Sequence, residues 1–174
     1  MLLHVCCADC ILKFTKIIDE NENLILYYYN PNIHPRSEYF ERLNAIKKVI
    51  KDKKFKLVVP DYIPQEYFVA IKSKSNKISL NKCHKCWELR IEKTCQYAKD
   101  NNIGQFSTTL LTSKYQNRDE IISIANKLAM KYGIEFVSSK EICLNLRTAG
   151  FYKQNYCGCC YSLVKRYEEK HYSI

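Results

Sequence analysis

Short apolar runs alternate with longer stretches of helical periodicity from one end of this chain to the other, and that alternation restricts its fold more than any other feature. Leu2-Leu3-His4-Val5 reads as a strand, followed by a helix from about Cys10 to Ile18. Leu24 to Tyr29 reads as a second strand, bounded by the turn-forming Asn30-Pro31-Asn32. Between Ser37 and Ile50 the residues Phe40, Leu43, Ile46, Val49 and Ile50 recur at helical spacing, and Lys56 to Val59 gives a third strand. Trp87, Ile91, Cys95 and Ala98 share one face of a helix that begins near the Cys83-His84-Lys85-Cys86 loop. Gln105 to Thr108 and Ile134 to Val137 supply two more strands. Between them Asn117, with Glu120 three residues on, caps a helix whose buried face is Ile121, Ile122, Ala125, Leu128 and Ala129. Strands separated by helices need crossover connections, and these produce a parallel sheet covered on both faces. The expected fold is a three-layer α/β domain. No repeat or linker divides the 174 residues, so one domain, 1–174, is expected.

Ligands of such sheets collect beyond the carboxyl ends of the strands. Cys6-Cys7 follows the first strand, Asn30-Pro31-Asn32 the second and Thr108-Thr109 the fourth, so these loops are expected to share one site. There is no basic flank, h-region or cleavage site of a signal peptide at the N-terminus and no apolar run long enough to span a membrane, so a cytoplasmic, reducing setting is expected. In that setting ten cysteines mean metal or redox chemistry rather than a disulfide framework. The 28 basic and 18 acidic residues give a net charge of +10, which favours a polyanionic partner such as nucleic acid, although a general Lys-rich bias of the source proteome gives the same excess.

Cys7-Ala8-Asp9-Cys10 and Cys83-His84-Lys85-Cys86 are two CxxC units, a spacing that lets a loop entering a helix bring two thiolates to one metal. Cys6 adds a fifth thiol, more than a tetrahedral zinc needs, which argues for a cluster or for a cluster with a second metal. A thioredoxin-like pair and a structural zinc ribbon remain the plainer alternatives. Cys95 and Cys143 stand alone in apolar patterns, as small buried hydrophobes do. In Tyr156-Cys157-Gly158-Cys159-Cys160 two thiols flank a glycine that tolerates the tight backbone of a short disulfide ring, so Cys157 and Cys159 are either a dithiol/disulfide store or further ligands.

Taken in order, several motifs resemble the QueH family: His4-Val5-Cys6-Cys7-Ala8-Asp9-Cys10; Asn30-Pro31-Asn32-Ile33 with Pro35, Glu38, Tyr39 and Arg42; Cys83/Cys86 with Arg90; Thr108-Thr109-Leu110-Leu111; and Gln154-Asn155-Tyr156-Cys157-Gly158-Cys159. The resemblance implies a HUP-like (Rossmann-like) domain that reduces epoxyqueuosine to queuosine at the wobble position of tRNA, the last step of queuosine biosynthesis. It implies a 4Fe-4S cluster held by Cys6, Cys7, Cys83 and Cys86, with Cys157 and Cys159 as the redox-active, catalytic pair. Cys10 is left over for a second iron beside the cluster, and the electron donor is not specified. Two departures from the family stand out: Asp9 where the family has Pro, and Asn145-Leu146-Arg147 where it has Asp before Phe-Arg. If the usual Asp donates a proton or touches iron, Asp9 is the residue placed to take over; neither it nor Tyr29 is assigned as general acid. The rival from another class is a zinc-stabilised RNA-binding module without turnover.

Overall fold

The computed structural model describes residues 1–15, 24–72, 77–138, 150, 152 and 154–171. Five strands form one sheet: β1 (Leu2–His4), β2 (Ile25–Tyr27), β3 (Lys56–Val58), β4 (Gln105–Thr108) and β5 (Glu135–Phe136). Their order is β3-β2-β1-β4-β5 and every pairing is parallel. The helices are α1 (Ala8–Thr15), α2 (Arg36–Val49), α3 (Pro64–Ala70), α4 (Leu80–Asp100), α5 (Arg118–Tyr132) and α6 (Cys160–His171), with a 3-10 turn at Thr109–Thr112. This is the expected three-layer, Rossmann-like α/β arrangement. Among the described residues no helix is long and apolar enough to cross a membrane.

Period-two side-chain alternation sorts the strand residues onto two cores. Leu2, Tyr27 and Phe106 point to the face covered by α4 and α5, where Trp87, Ile91, Cys95, Ala98 and Ile121 pack. Leu3, Leu26 and Tyr28 point to the opposite face with Ile11, Phe14, Tyr39, Leu43 and Ile46 of α1 and α2. Both faces of the sheet are therefore buried, which is why the strands read as continuous apolar runs.

Four expectations shift. Phe40 is 41% exposed, and the inward stripe of α2 is Tyr39, Leu43 and Ile46, accompanied by the buried ion pair of Glu38 and Arg42. On α5 the stripe includes Ile124 at the i+3 position, while Ile122 sits at its edge, half-buried. α4 starts earlier than expected, at Leu80: the Ser79 side chain caps it by accepting from Lys82 N (3.3 Å), so Cys83 and Cys86 lie within its first turns and not in a loop before it. α1 also starts early, at Ala8, and the expected end at Ile18 lies outside the described residues. Asn117 caps α5 as expected, its side chain accepting from Glu120 N, and Gly133 closes that helix in the left-handed conformation.

Candidate active site

With this strand order β1 and β4 lie side by side at the point where the connections reverse direction, and the loops leaving their carboxyl ends frame a crevice. Two buried polar residues hold the loops together there. His4 Nε2 donates to Tyr29 O (3.1 Å), since a carbonyl can only accept, and Nδ1 accepts from the Thr108 hydroxyl (2.9 Å). Burial, aided by the Arg90 charge, pushes His4 down to about 3, so it stays a neutral brace. One residue on, the Thr109 hydroxyl accepts from Cys6 N (3.3 Å) and lies 3.6 Å from Cys6 Sγ.

The first thiol group grows from this brace. Cys6 and Cys7 leave β1 and α1 begins at once, so Cys7 stands at its N-terminal boundary and its sulfur accepts from Cys10 N (3.3 Å). Cys10 Sγ is at bonding distance from Cys7 Sγ and 3.8 Å from Cys6 Sγ. All three residues are buried, and their sulfurs lie within 4.8 Å of one another, the one group of three such ligands among the described residues. Asp9 turns to Lys13, at 2.9 Å.

The second group forms on the loop before α6. Ser162 N donates to Cys159 Sγ (3.4 Å), so this sulfur occupies the anion-favouring end of the helix. Cys157 Sγ lies 3.6 Å from Cys159 Sγ and 3.0 Å from Ser162 Oγ. Donation from the Cys157 thiol, reinforced by Ser162, holds Cys159 well below the ordinary thiol range, while the same bond and burial drive Cys157 up. Long-range bonds fix the loop. His34 N donates to Gly158 O (2.8 Å), Tyr156 OH to His34 O (2.6 Å), and Arg42 to the carbonyls of Cys157 (3.3 Å) and Tyr156 (3.4 Å). Arg42 is itself held by Glu38 at 2.7 Å, and Tyr152 OH donates to the same carboxylate. Gly158 has φ +118°, and a Cβ there would come within 3.0 Å of the Arg42 guanidinium, so both conformation and space require glycine.

Cys83 and Cys86 project from α4 into a narrow pocket that Cys157 and Cys159 also line, together with Asn32, Tyr67, Trp87, Arg90 and Gln116. Burial raises both α4 thiols, Cys86 to about 11. Arg90, buried one turn below Cys86, donates to its carbonyl (3.1 Å). Burial opposes the Arg90 charge, but the Cys86, Cys6 and Cys157 sulfurs outweigh it and raise its pKa. One buried cation thus faces both thiol groups. The ligand set expected from the sequence is divided between them: Cys6 and Cys7 lie with Cys10, and Cys83 and Cys86 with Cys157 and Cys159. Cys95 is a core residue, as expected, and Cys143 and Asn145-Leu146-Arg147 lie outside the described residues.

The family model described as "Epoxyqueuosine reductase QueH" matches residues 1–165. The chain belongs to the QueH family. Curated QueH relatives include one of Thermotoga maritima, 33% identical over 186 residues that cover all of this chain and 95% of that protein. A QueH of Dehalococcoides mccartyi is 32% identical over 178 residues, covering 96% of this chain and 94% of its own. The QueH of Helicobacter pylori is 32% identical over 190 residues, and of its length this chain spans about half (52%). All three relatives carry the name epoxyqueuosine reductase.

Sequence reasoning missed several residues that shape the candidate site. Tyr67 comes from α3, a helix without a clear apolar stripe in the sequence, started by Pro64 at its first position. Ser162 is an ordinary helix residue until Cys159 is seen as its cap partner. The Asn30-Pro31-Asn32 turn was visible as a strand-end loop, but the burial of both its asparagines was not.

Proposed function

We propose that this chain reduces epoxyqueuosine in tRNA to queuosine, with Cys157 and Cys159 as its redox-active pair. The observation that carries the reading is the shared pocket, in which a close thiol pair meets two further thiols above a buried arginine. Removing an epoxide oxygen as water requires two electrons and two protons. Closure of the pair to a disulfide supplies both electrons: the Cys157 S–H bond breaks, an S–S bond forms to the Cys159 thiolate, and the epoxide carbons gain a double bond as the oxygen leaves as water with the Cys157 proton and a second proton from solvent.

A thiophilic metal group fits the Cys6, Cys7 and Cys10 group, whose converging donors are all sulfur and buried, with the Arg90 cation nearby. In this reading Cys6, Cys7, Cys83 and Cys86 hold a 4Fe-4S cluster and Cys10 is free for a second iron, which requires Cys7 and Cys10 in the dithiol state. Bound there, the group supplies electrons and a Lewis acid. The protein's own part is to keep Cys159 anionic at the α6 terminus, keep Cys157 protonated beside it, and enclose the reacting centre between Trp87, Tyr67 and α6. Tyr29 fits poorly as a proton source, because burial and its bond to Glu66 raise it far above the ordinary phenol range. The +10 charge supports tRNA as the carrier of the base, and the cytoplasm, where tRNA is modified, as the setting.

Anaerobically reconstituted protein, reduced and given tRNA bearing epoxyqueuosine, should yield queuosine by nucleoside mass spectrometry without ATP. Affinity should fall steeply with salt, by a log-log slope of about −0.7 to −0.9 for each phosphate neutralised. Absence of queuosine from fully loaded enzyme with a strong reductant would count against the reaction. Zinc without iron or sulfide would instead favour the RNA-binding module.

A further inference from the structure

Among the described residues, one buried hydrogen-bond acceptor at the thiol pocket has no donor. Four buried side-chain atoms lack a partner among the described residues: Asn30 Oδ1, Asn32 Oδ1, His34 Nε2 and Gln154 Oε1. Of these residues Asn32 lines the pocket that holds Cys83, Cys86, Cys157 and Cys159. It is only 2% exposed, so bulk water does not serve it. Nor is its loop free to adjust. His34 Nδ1 donates to Asn32 O (2.7 Å), Ile33 N to Asn30 O (3.2 Å), Tyr62 OH to Ile33 O (2.7 Å), and Asn30 Nδ2 to Val5 O (2.8 Å). A buried carbonyl oxygen held in place without a donor is costly unless a ligand supplies one.

We infer that the Asn32 side-chain oxygen accepts a hydrogen bond from a ring hydroxyl of the substrate's epoxide-bearing carbocycle, and that it selects for that ring. The inference rests on the proposed reaction. A neutral O–H fits better than an ammonium because Arg90 and Lys82 already place two cations along the same wall. Gln116, also lining the pocket, is engaged by the Trp87 indole N–H and helps fix the indole as a flat wall for the ring system. Asn32 is a specificity residue and takes no part in electron transfer.

The test is equilibrium dialysis of the reconstituted protein against two nucleosides: queuosine, which carries the carbocycle with its hydroxyls, and 7-aminomethyl-7-deazaguanosine, which lacks it. Asn32→Leu has similar size and no acceptor, and should weaken queuosine binding roughly 10- to 100-fold. It should leave the second nucleoside within about threefold, and Asn32→Asp, which keeps the acceptor, should hold queuosine within the same margin. Should the Leu variant not fold, Asn32→Ser, too short to reach, takes its place. Iron is measured in every sample. Unchanged queuosine binding in the Leu or Ser variant overturns the inference, as does equal loss in Asn32→Asp, which would point to a structural role for the amide N–H. Iron falling in step with binding also overturns it, by giving the oxygen to the cofactor. Wild-type protein that binds neither nucleoside and makes no queuosine would refute the proposed function itself, whereas normal turnover with an indifferent Asn32 refutes the inference alone.

Discussion

The two ends of the chain bring thiols toward Arg90 by opposite means. Cys6, Cys7 and Cys10 are placed by regular structure: they follow the central strand, enter a helix, and are braced from behind by His4 of that strand, Thr108 of β4 and Thr109 of the turn after it. Cys157 and Cys159 are placed by individual hydrogen bonds, with their loop fastened to α2 through Arg42 and Glu38 and to the β2 loop through His34. The contrast is one of stiffness. The strand and helix set the spacing of the first group, whereas the 3.6 Å between Cys157 and Cys159 Sγ depends on the loop's own hydrogen bonds. If holding a metal and exchanging electrons are separate tasks, as proposed, each falls to a different architecture.

The largest effect that could break this division is loss of the metal group. Cys6→Ser, Cys7→Ser, Cys83→Ser and Cys86→Ser should each abolish cluster loading, while Cys95→Ser, in the core beside α5, should not. Iron and sulfide after anaerobic reconstitution provide the measurement; full content in any two of the first four variants would remove them from the ligand set. Next in size, Cys157→Ala and Cys159→Ala should keep their iron and lose turnover by about 10³-fold or more. If iron falls in parallel, the loop thiols are ligands too and the two regions share one task.

Much of this was legible in the sequence, and the unread part has a common cause. The short apolar runs and the Trp87/Ile91/Cys95/Ala98 stripe of period 3.6 are local patterns, and the sheet and α4 follow them closely. The Cys157-Gly158-Cys159 unit was readable because a glycine between two thiols has a local conformational meaning, and its φ of +118° agrees. Arg42, Asn32 and Tyr67 carry no such local signature. Their roles depend on partners far along the chain, Arg42 reaching carbonyls 114 and 115 residues away. The misplaced Phe40 has the same origin: an arginine inside a helix reads as surface until its buried carboxylate partner and the loop it holds are seen.

That long-range dependence gives the third test. Arg42→Met keeps the stem but leaves Glu38 a buried carboxylate without its cation, at a cost of about 3–5 kcal/mol of stability. Gly158→Ala should cost less, about 1–3 kcal/mol, since it strains one residue and crowds the guanidinium. Chemical denaturation gives both values. The comparison predicts that each variant lowers turnover while iron content stays near wild type, because the loop is disturbed and the sheet-anchored thiols are not; Gly158→Ala with wild-type stability and turnover would show that the loop does not need its present conformation.

The smallest expected effect is a matter of pH, and it compares Cys159 with Cys95. Only the thiolate reacts with iodoacetamide, so the labelling rate of an ordinary thiol falls about tenfold per pH unit below a pKa near 8.5. Donation from the Cys157 thiol and the Ser162 N–H favours the anion at Cys159, so its labelling should stay level through neutrality and decline only in distinctly acidic solution. Burial pushes Cys95 up to about 12, and it should remain unlabelled until the protein unfolds. Low exposure slows Cys159 at every pH alike, so the inflexion rather than the absolute rate is the quantity to follow by peptide mass mapping of the reconstituted protein. Cys157→Ala removes the largest contribution and should shift that inflexion upward toward the ordinary value. An inflexion at the ordinary value in the wild type would mean that the end of α6 does not hold Cys159 as the anionic member of the pair.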